Sequence, residues 1–303
     1  MWKHQLLTHF SSMTLFVDEP LSSYTYTKTG GKADILAFPK SKEELSELII
    51  WAKNQSIPIT TLGNASNVIV KDTGIKGIVI MLEYINDIRF EDTYVHVSSG
   101  MTLIDLSKQV SEQSLSGLEF ACGIPGSVGG AIYMNAGAYG GEMKDIVEAV
   151  HVIDENGQLK SYTHDEMLFD YRYSIIQNST DIIIGATLKL EHGNKESILE
   201  KMTELNHLRQ SKQPLEYPSC GSVFKRPEGY FAGKLIQDAN LQGKRIGGVE
   251  VSKKHAGFMV NIDNGTATDY KHLIAYVQQE VKRQFNVDLE TEVRFIGDEN
   301  ERN

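Results

Sequence analysis

Cysteine is scarce: Cys122 and Cys220 are the only two in 303 residues, too few for a disulfide scaffold. They form no Cys-x-x-Cys spacing, so a redox pair has little support. Both read as small, reduced, space-filling residues. No apolar run approaches the roughly 18 residues of a membrane span. No signal-peptide core follows Met1-Trp2-Lys3-His4-Gln5, so a cytoplasmic protein with no membrane partner is expected. Basic side chains are also in deficit, 30 Lys and Arg against 40 Asp and Glu, for a net charge of −10. That balance excludes a broad nucleic-acid surface, though a small anionic ligand needs only a few local cations and amides. The nine histidines include no His-x-x-x-His pair, and no metal site is expected. Repeats and low-complexity tracts are absent from the sequence. What remains, 41% hydrophobic and 23% charged residues, is the composition of a globular protein long enough for two or three domains.

Glycine, by contrast, is plentiful and concentrated. The stretch Gly123-Ile124-Pro125-Gly126-Ser127-Val128-Gly129-Gly130-Ala131 holds four glycines and a proline in nine residues. At that density a backbone can approach a bulky ligand with no Cβ in the way. Its N–H groups can then point at phosphate oxygens. The stretch is neither Gly-x-Gly-x-x-Gly nor a P-loop, and Pro125 spoils a Gly-x-Ser-x-Gly reading of Ser127. Taken alone it fits a tight structural turn as well as a ligand loop. A second such turn, Gly63-Asn64-Ala65-Ser66-Asn67, follows the apolar run Ile57–Leu62. Alone it reads as an ordinary strand-to-strand turn. Together the two loops suggest a ligand with a pyrophosphate and something flat beyond it.

The rest of the chain reads as mixed helix and strand. Ser41 with Glu44 forms a capping box for a helix ending near Asn54, with Leu45, Leu48, Ile49 and Ala52 on one stripe. Thr102 caps a second helix to about Ser114. Asn156-Gly157 marks a hairpin between Val150–Ile153 and Leu159–Tyr162. A polar helix spans about 196–211, and a long one runs from Thr268 to about Phe285. A short strand, Glu292–Ile296, is expected to close the chain. The expected domains are 1–82, 83–205 and 206–303, with a strand near 290–297 returning to the first.

Three further segments carry chemistry, each with a plain alternative. In Asp170-Tyr171-Arg172-Tyr173-Ser174 an arginine between aromatics can clamp a carboxylate with two N–H bonds, or simply stack for packing. In Pro218-Ser219-Cys220-Gly221-Ser222-Val223-Phe224-Lys225-Arg226-Pro227 a serine precedes two cations, as a proton donor and anion contact or as a solvated loop. Glu292 reads as a strand residue on the same side as Arg294. His255 reads equally as a loop residue or a catalytic one.

The order of these signals is more specific than any one of them. From Tyr26-Thr27-Lys28-Thr29-Gly30-Gly31, through both glycine loops, Met134-Asn135-Ala136-Gly137-Ala138-Tyr139-Gly140, Tyr171–Ser174, Cys220–Pro227 and Ala232–Ile236, to Gly247–Asn261, the chain resembles the UDP-N-acetylenolpyruvoylglucosamine reductases almost end to end. It resembles their shorter form, without an inserted tyrosine loop. The resemblance implies an α+β protein with the PCMH-type FAD-binding fold of two α+β lobes, plus a C-terminal α+β substrate-binding lobe. It implies FAD held without a covalent bond, NADPH as hydride donor, and UDP-N-acetylglucosamine enolpyruvate as substrate, with no obligatory protein partner. By motif, it implies that Gly63, Asn64, Ala65, Ser66, Asn67, Gly123, Ile124, Pro125, Gly126, Ser127, Gly129, Gly130, Ala131, Asn135 and Gly137 hold the cofactor. It further implies that Arg172 contacts the substrate carboxylate, Ser222 protonates carbon and Glu292 stands opposite, with Lys225 and Tyr171 on the substrate. One departure is Ala65, where the family usually has glycine. An alanine forced to positive φ there would cost about 1 kcal/mol. The competing classes are a flavin oxidase of the same architecture with covalently attached FAD, and a flavin-binding protein without catalysis.

Overall fold

The structure, a computed structural model, describes residues 2–299. The chain divides into two compact units. The first comprises Met1–Val17, Asp34–Asn64 and Gly77–Leu208; the second comprises Asp18–Ala33, Ala65–Lys76 and Arg209–Asn303.

Two large cores of the first unit position the site. In one, the helices Trp2–His9 and Lys42–Asn54 contribute Leu6, Leu45, Leu48, Ile49 and Ala52, packed with Ile35, Ile78 and Ile80 of sheet strands. Ser41 caps the second helix through the N–H of Glu44 at 3.2 Å. The Glu44 carboxylate reaches one residue further back than expected, to the N–H of Lys40 at 2.8 Å. Either way an orphan amide of the first turn, or just before it, is satisfied. The strand Ile59–Leu62 pairs in parallel with Ile75–Met81, Ile59 opposite Ile78 and Leu62 opposite Met81. Its carboxyl end therefore delivers the chain directly into the turn that starts at Gly63.

The other core lies under a five-stranded antiparallel sheet. Its strand order is Leu159–Thr163, Val147–Ile153, Ile182–Lys189, Tyr94–Ser98, Ile88–Glu91. Val95, Val97, Val150, Val152, Ala186 and Leu188 alternate inward from the strands. They meet Leu103, Leu106 and Val110 of the helix Leu103–Glu112, and Val128 and Ile132 of the short helix Val128–Tyr133. This is the period-2 against period-3.6 packing that the apolar spacing dictates. Thr102 caps the first of these helices through the N–H of Asp105 at 3.0 Å.

The second unit is built on the strand order Ser219–Ser222, Phe258–Asn261, Val249–Val251, Arg245–Ile246, all antiparallel. Against it lies the helix Ala267–Phe285, with Tyr270, Leu273, Ile274, Val277 and Val281 buried. Thr266 and Asp269 form its capping box. Asp72 adds a second cap, accepting from the N–H groups of Ala267 and Thr268 at 2.9 Å each. The strand Arg294–Ile296 pairs in parallel with Val68–Val70. The segment Ala65–Lys76 thus belongs to the same unit as the carboxyl-terminal residues, held there by a strand ladder and a helix cap.

Among the described residues no helix is long and apolar enough to cross a membrane. Nor does any group of three or more His, Cys, Asp or Glu side chains there form a metal-ligand set.

Candidate active site

Gly63, which opens the first glycine loop, meets the second loop within the first unit. A Cβ on Gly63 would lie 2.4 Å from the Ser127 hydroxyl oxygen, inside any allowed contact. That hydroxyl is occupied, because Ser127 caps the helix Val128–Tyr133 by accepting the N–H of Gly130. Glycine at 63 lets one loop approach the other without displacing the cap. Gly129 is equally constrained, since a Cβ there would meet Ser99 Cβ at 2.9 Å and its N–H donates to the Ser99 carbonyl. Among the described residues none accepts a hydrogen bond from the main-chain N–H groups of Asn64, Ala65, Ser66 and Asn67, or from those of Gly126 and Ser127. Two runs of amide donors are therefore available to an anion.

Ala65 takes φ 47° and is 5% exposed. The sequence condition for strain at this position is met. Replacing Ala65 by Gly is expected to stabilise the holoprotein by up to about 1 kcal/mol, less the greater freedom glycine gives the unfolded chain. A chemical-denaturation midpoint checks this, and a lower midpoint would contradict it.

Arg172 lies on a tight turn. Asp170 and Tyr173 exchange both main-chain hydrogen bonds at 3.1 Å, and Arg172 between them has φ 56°. Its guanidinium stacks 4.9 Å from the Tyr171 ring centroid and donates to the carbonyls of Gly137 at 3.2 Å and Asn135 at 3.5 Å. Tyr171 itself is exposed. Asn135 is fully buried, and its amide is engaged by Glu142, Lys144 and Asp170. Those bonds make its side chain a brace for this turn. Gly137 is close-packed against Gly141, where a Cβ would lie 2.6 Å from the carbonyl oxygen.

Ser222 and Glu292 both lie in the second unit, on segments whose main chains run side by side. Gly221, at φ 74° and with open space where a Cβ would be, bulges the strand Ser219–Ser222 and leaves Ser222 exposed at its end. The next carbonyl, that of Val223, accepts the N–H of Glu292 at 2.8 Å. Asn67 of the first glycine loop reaches the same segment. Its carbonyl accepts from Arg294 N–H at 3.2 Å and its side chain donates to the Glu292 carbonyl at 3.4 Å. The regular strand begins only at Arg294, so Glu292 is held by these bonds and not by the ladder expected for it. Lys225 pairs with Glu290 through its ammonium and through its N–H. Cys220, buried beside this segment, has its thiol pushed up to about 12 by burial first, with the Glu292 charge acting in the same direction. It is therefore a protonated, inert packing group at neutral pH. Burial likewise lowers the pKa of His255, whose Nδ1 accepts the N–H of Gly257 at 3.2 Å, a loop-shaping role. Sequence reasoning did not find Gln177, which donates to the carbonyls of Arg172 and Tyr133; no spacing marks it.

Residues 213–296 match the family model described as UDP-N-acetylenolpyruvoylglucosamine reductase, C-terminal domain. Residues 33–163 match an FAD binding domain. A UDP-N-acetylenolpyruvoylglucosamine reductase from Lactiplantibacillus plantarum is 56% identical over 294 residues, 97% of each chain. One from Staphylococcus haemolyticus is 55% identical over 93% of this chain and 92% of its own. The chain belongs to the UDP-N-acetylenolpyruvoylglucosamine reductase family. The crystal structure of the Thermus caldophilus reductase agrees in fold, with a TM-score of 0.79 and 33% identity over 93% of this chain and 98% of that one. A UDP-N-acetylenolpyruvoylglucosamine reductase of this kind is a flavoprotein oxidoreductase, with the PCMH-type α+β fold expected from the sequence. The residues present fit FAD. The close approaches at Gly63 and Gly129 exclude side chains, and in the same unit the amides of Asn64, Gly126 and Ser127 are open to a pyrophosphate.

Proposed function

We propose that the protein reduces the enolpyruvyl double bond of UDP-N-acetylglucosamine enolpyruvate to give UDP-N-acetylmuramate for peptidoglycan synthesis, with NADPH as reductant. FAD, held without a covalent bond on the loops 63–67 and 123–131, supplies the hydride from N5 when bound. The residues of the chain manage the charge and the proton. Hydride addition at the outer carbon drives electron density into the substrate carboxylate, and that charge sets the barrier. Arg172 presents a planar fork of N–H donors, fixed at its base by the carbonyls of Asn135 and Gly137, to that carboxylate. Ser222, exposed at the end of its strand, donates a proton to the inner carbon. Glu292, at least partly protonated, assists by donating to the developing dianion, which an ionised carboxylate would repel. Lys225 and Tyr171 contact the substrate at its anionic and apolar parts.

The observation that supports this reading is the bond from Glu292 N–H to the carbonyl of Val223, which runs the main chain at Glu292 alongside the residue that follows Ser222. The sequence holds no separate NADPH-binding motif, so both substrates are expected to use one site in turn. Steady-state initial rates are expected to give parallel double-reciprocal lines. Intersecting lines with ternary-complex product inhibition would overturn that order.

A further inference from the structure

The turn that carries Arg172 is strained, and the strain is held from two sides. A side chain with a Cβ at φ 56° lies in the left-handed region that L-residues rarely adopt, and arginine has no short polar group to offset that strain locally. Its surroundings supply what it lacks. On one side Gln177 Nε2 donates to the carbonyl of Arg172 itself at 3.0 Å and to that of Tyr133 at 2.8 Å. On the other side Asn135 Nδ2 donates to the carbonyl of Asp170 at 2.9 Å and to Glu142 Oε2 at 2.7 Å, while its Oδ1 accepts the N–H of Lys144 at 2.9 Å. A primary amide has two N–H donors, and each of these amides uses both. The main chain is thereby fixed at Asp170, before the arginine, and at Arg172. The Asn135 carbonyl, with that of Gly137, then takes the guanidinium. Ser174 Oγ adds a third tie, to the same Tyr133 carbonyl at 2.8 Å.

We propose that Gln177 and Asn135 are positioning residues that lock Arg172 in its left-handed turn and so aim its guanidinium. The inference rests on the reading of Arg172 as the contact for the substrate carboxylate. Neither amide acts as an acid or base; each acts through the arginine it braces. A site this rigid is sensitive to small displacements, and about 1 Å of misplacement costs up to about 10²-fold in rate.

The test separates the two half-reactions of the FAD-loaded enzyme by anaerobic stopped flow, with a thermal midpoint and flavin content as folding controls. Gln177→Met keeps the volume and removes both donors. It is expected to leave flavin bleaching by NADPH within about two-fold of wild type and to slow reoxidation by the enolpyruvyl substrate about 10–100-fold. In an Arg172→Ala background the same change is expected to add nothing, because the group it aims is gone. An equal slowing in that background, or equal slowing of both half-reactions, would overturn the proposal. Should Arg172→Ala reoxidise at the wild-type rate, the substrate role of Arg172 fails, and the inference with it. Gln177→Glu keeps the shape where Gln177→Met fails to fold. Ionised, it faces two carbonyl oxygens without a donor; protonated, it regains one. Its reoxidation rate relative to wild type should recover as the pH falls, and a ratio constant with pH would overturn the proposal.

Discussion

Ser222→Ala leaves the bleaching of the flavin by NADPH intact and slows its reoxidation by the enolpyruvyl substrate by about 10²–10⁴-fold, the range for loss of a positioned proton donor. The reasoning starts from the backbone. Gly221 at φ 74° breaks the register of the strand and leaves Ser222 exposed, and among the described residues its side chain joins no buried cluster and caps no helix. Its removal should therefore shift stability by no more than about 0.5 kcal/mol. A hydroxyl that costs the fold nothing and the second half-reaction orders of magnitude is a chemical group. Equal slowing of both half-reactions, or a large fall in thermal midpoint, would make it a structural one.

Arg172 gives the second large effect. Arg172→Lys retains the charge but replaces a planar fork with a point donor, and loses the stacking on Tyr171. Reoxidation is expected to fall about 10²–10³-fold, the scale for one lost donor at developing negative charge. The backbone allows a sharper comparison. Arg172→Ala and Arg172→Gly both remove the guanidinium and should be slowed alike. At φ 56° alanine keeps the strain and glycine releases it, so the glycine variant should be the more stable by about 1 kcal/mol. Denaturation midpoints decide the point, and an alanine variant as stable as the glycine one would contradict a strained turn.

Local features were legible in the sequence because their physics is local. Ser41 and Thr102 cap the helices expected of them, since the cap and the amide it serves lie three residues apart. The glycine loops stood out because side chains are missing where backbone must come close, as Gly63 does to Ser127. The carboxyl-terminal helix was read from its apolar spacing to within a residue of its start at Ala267.

Long-range features were not legible. Val68–Val70 is too short to show a period, and its partner Arg294–Ile296 lies at the other end of the chain. No property of Ala65–Lys76 by itself announces that it groups with the carboxyl-terminal unit. Glu292 was read as a strand residue from alternation, yet it precedes the strand, and its N–H bonds the Val223 carbonyl, an acceptor every residue possesses. Asn135 carried a motif but not its partners, and Gln177 carried neither. An amide side chain acquires its role only from the carbonyls that folding places around it.

The most direct test of the account is the visible spectrum of the purified protein through one anaerobic cycle. The account predicts a yellow protein whose flavin absorbance is bleached by NADPH and restored by UDP-N-acetylglucosamine enolpyruvate in the absence of oxygen. A protein that stays colourless with added FAD, or a reduced flavin that the enolpyruvyl substrate leaves bleached, would contradict it.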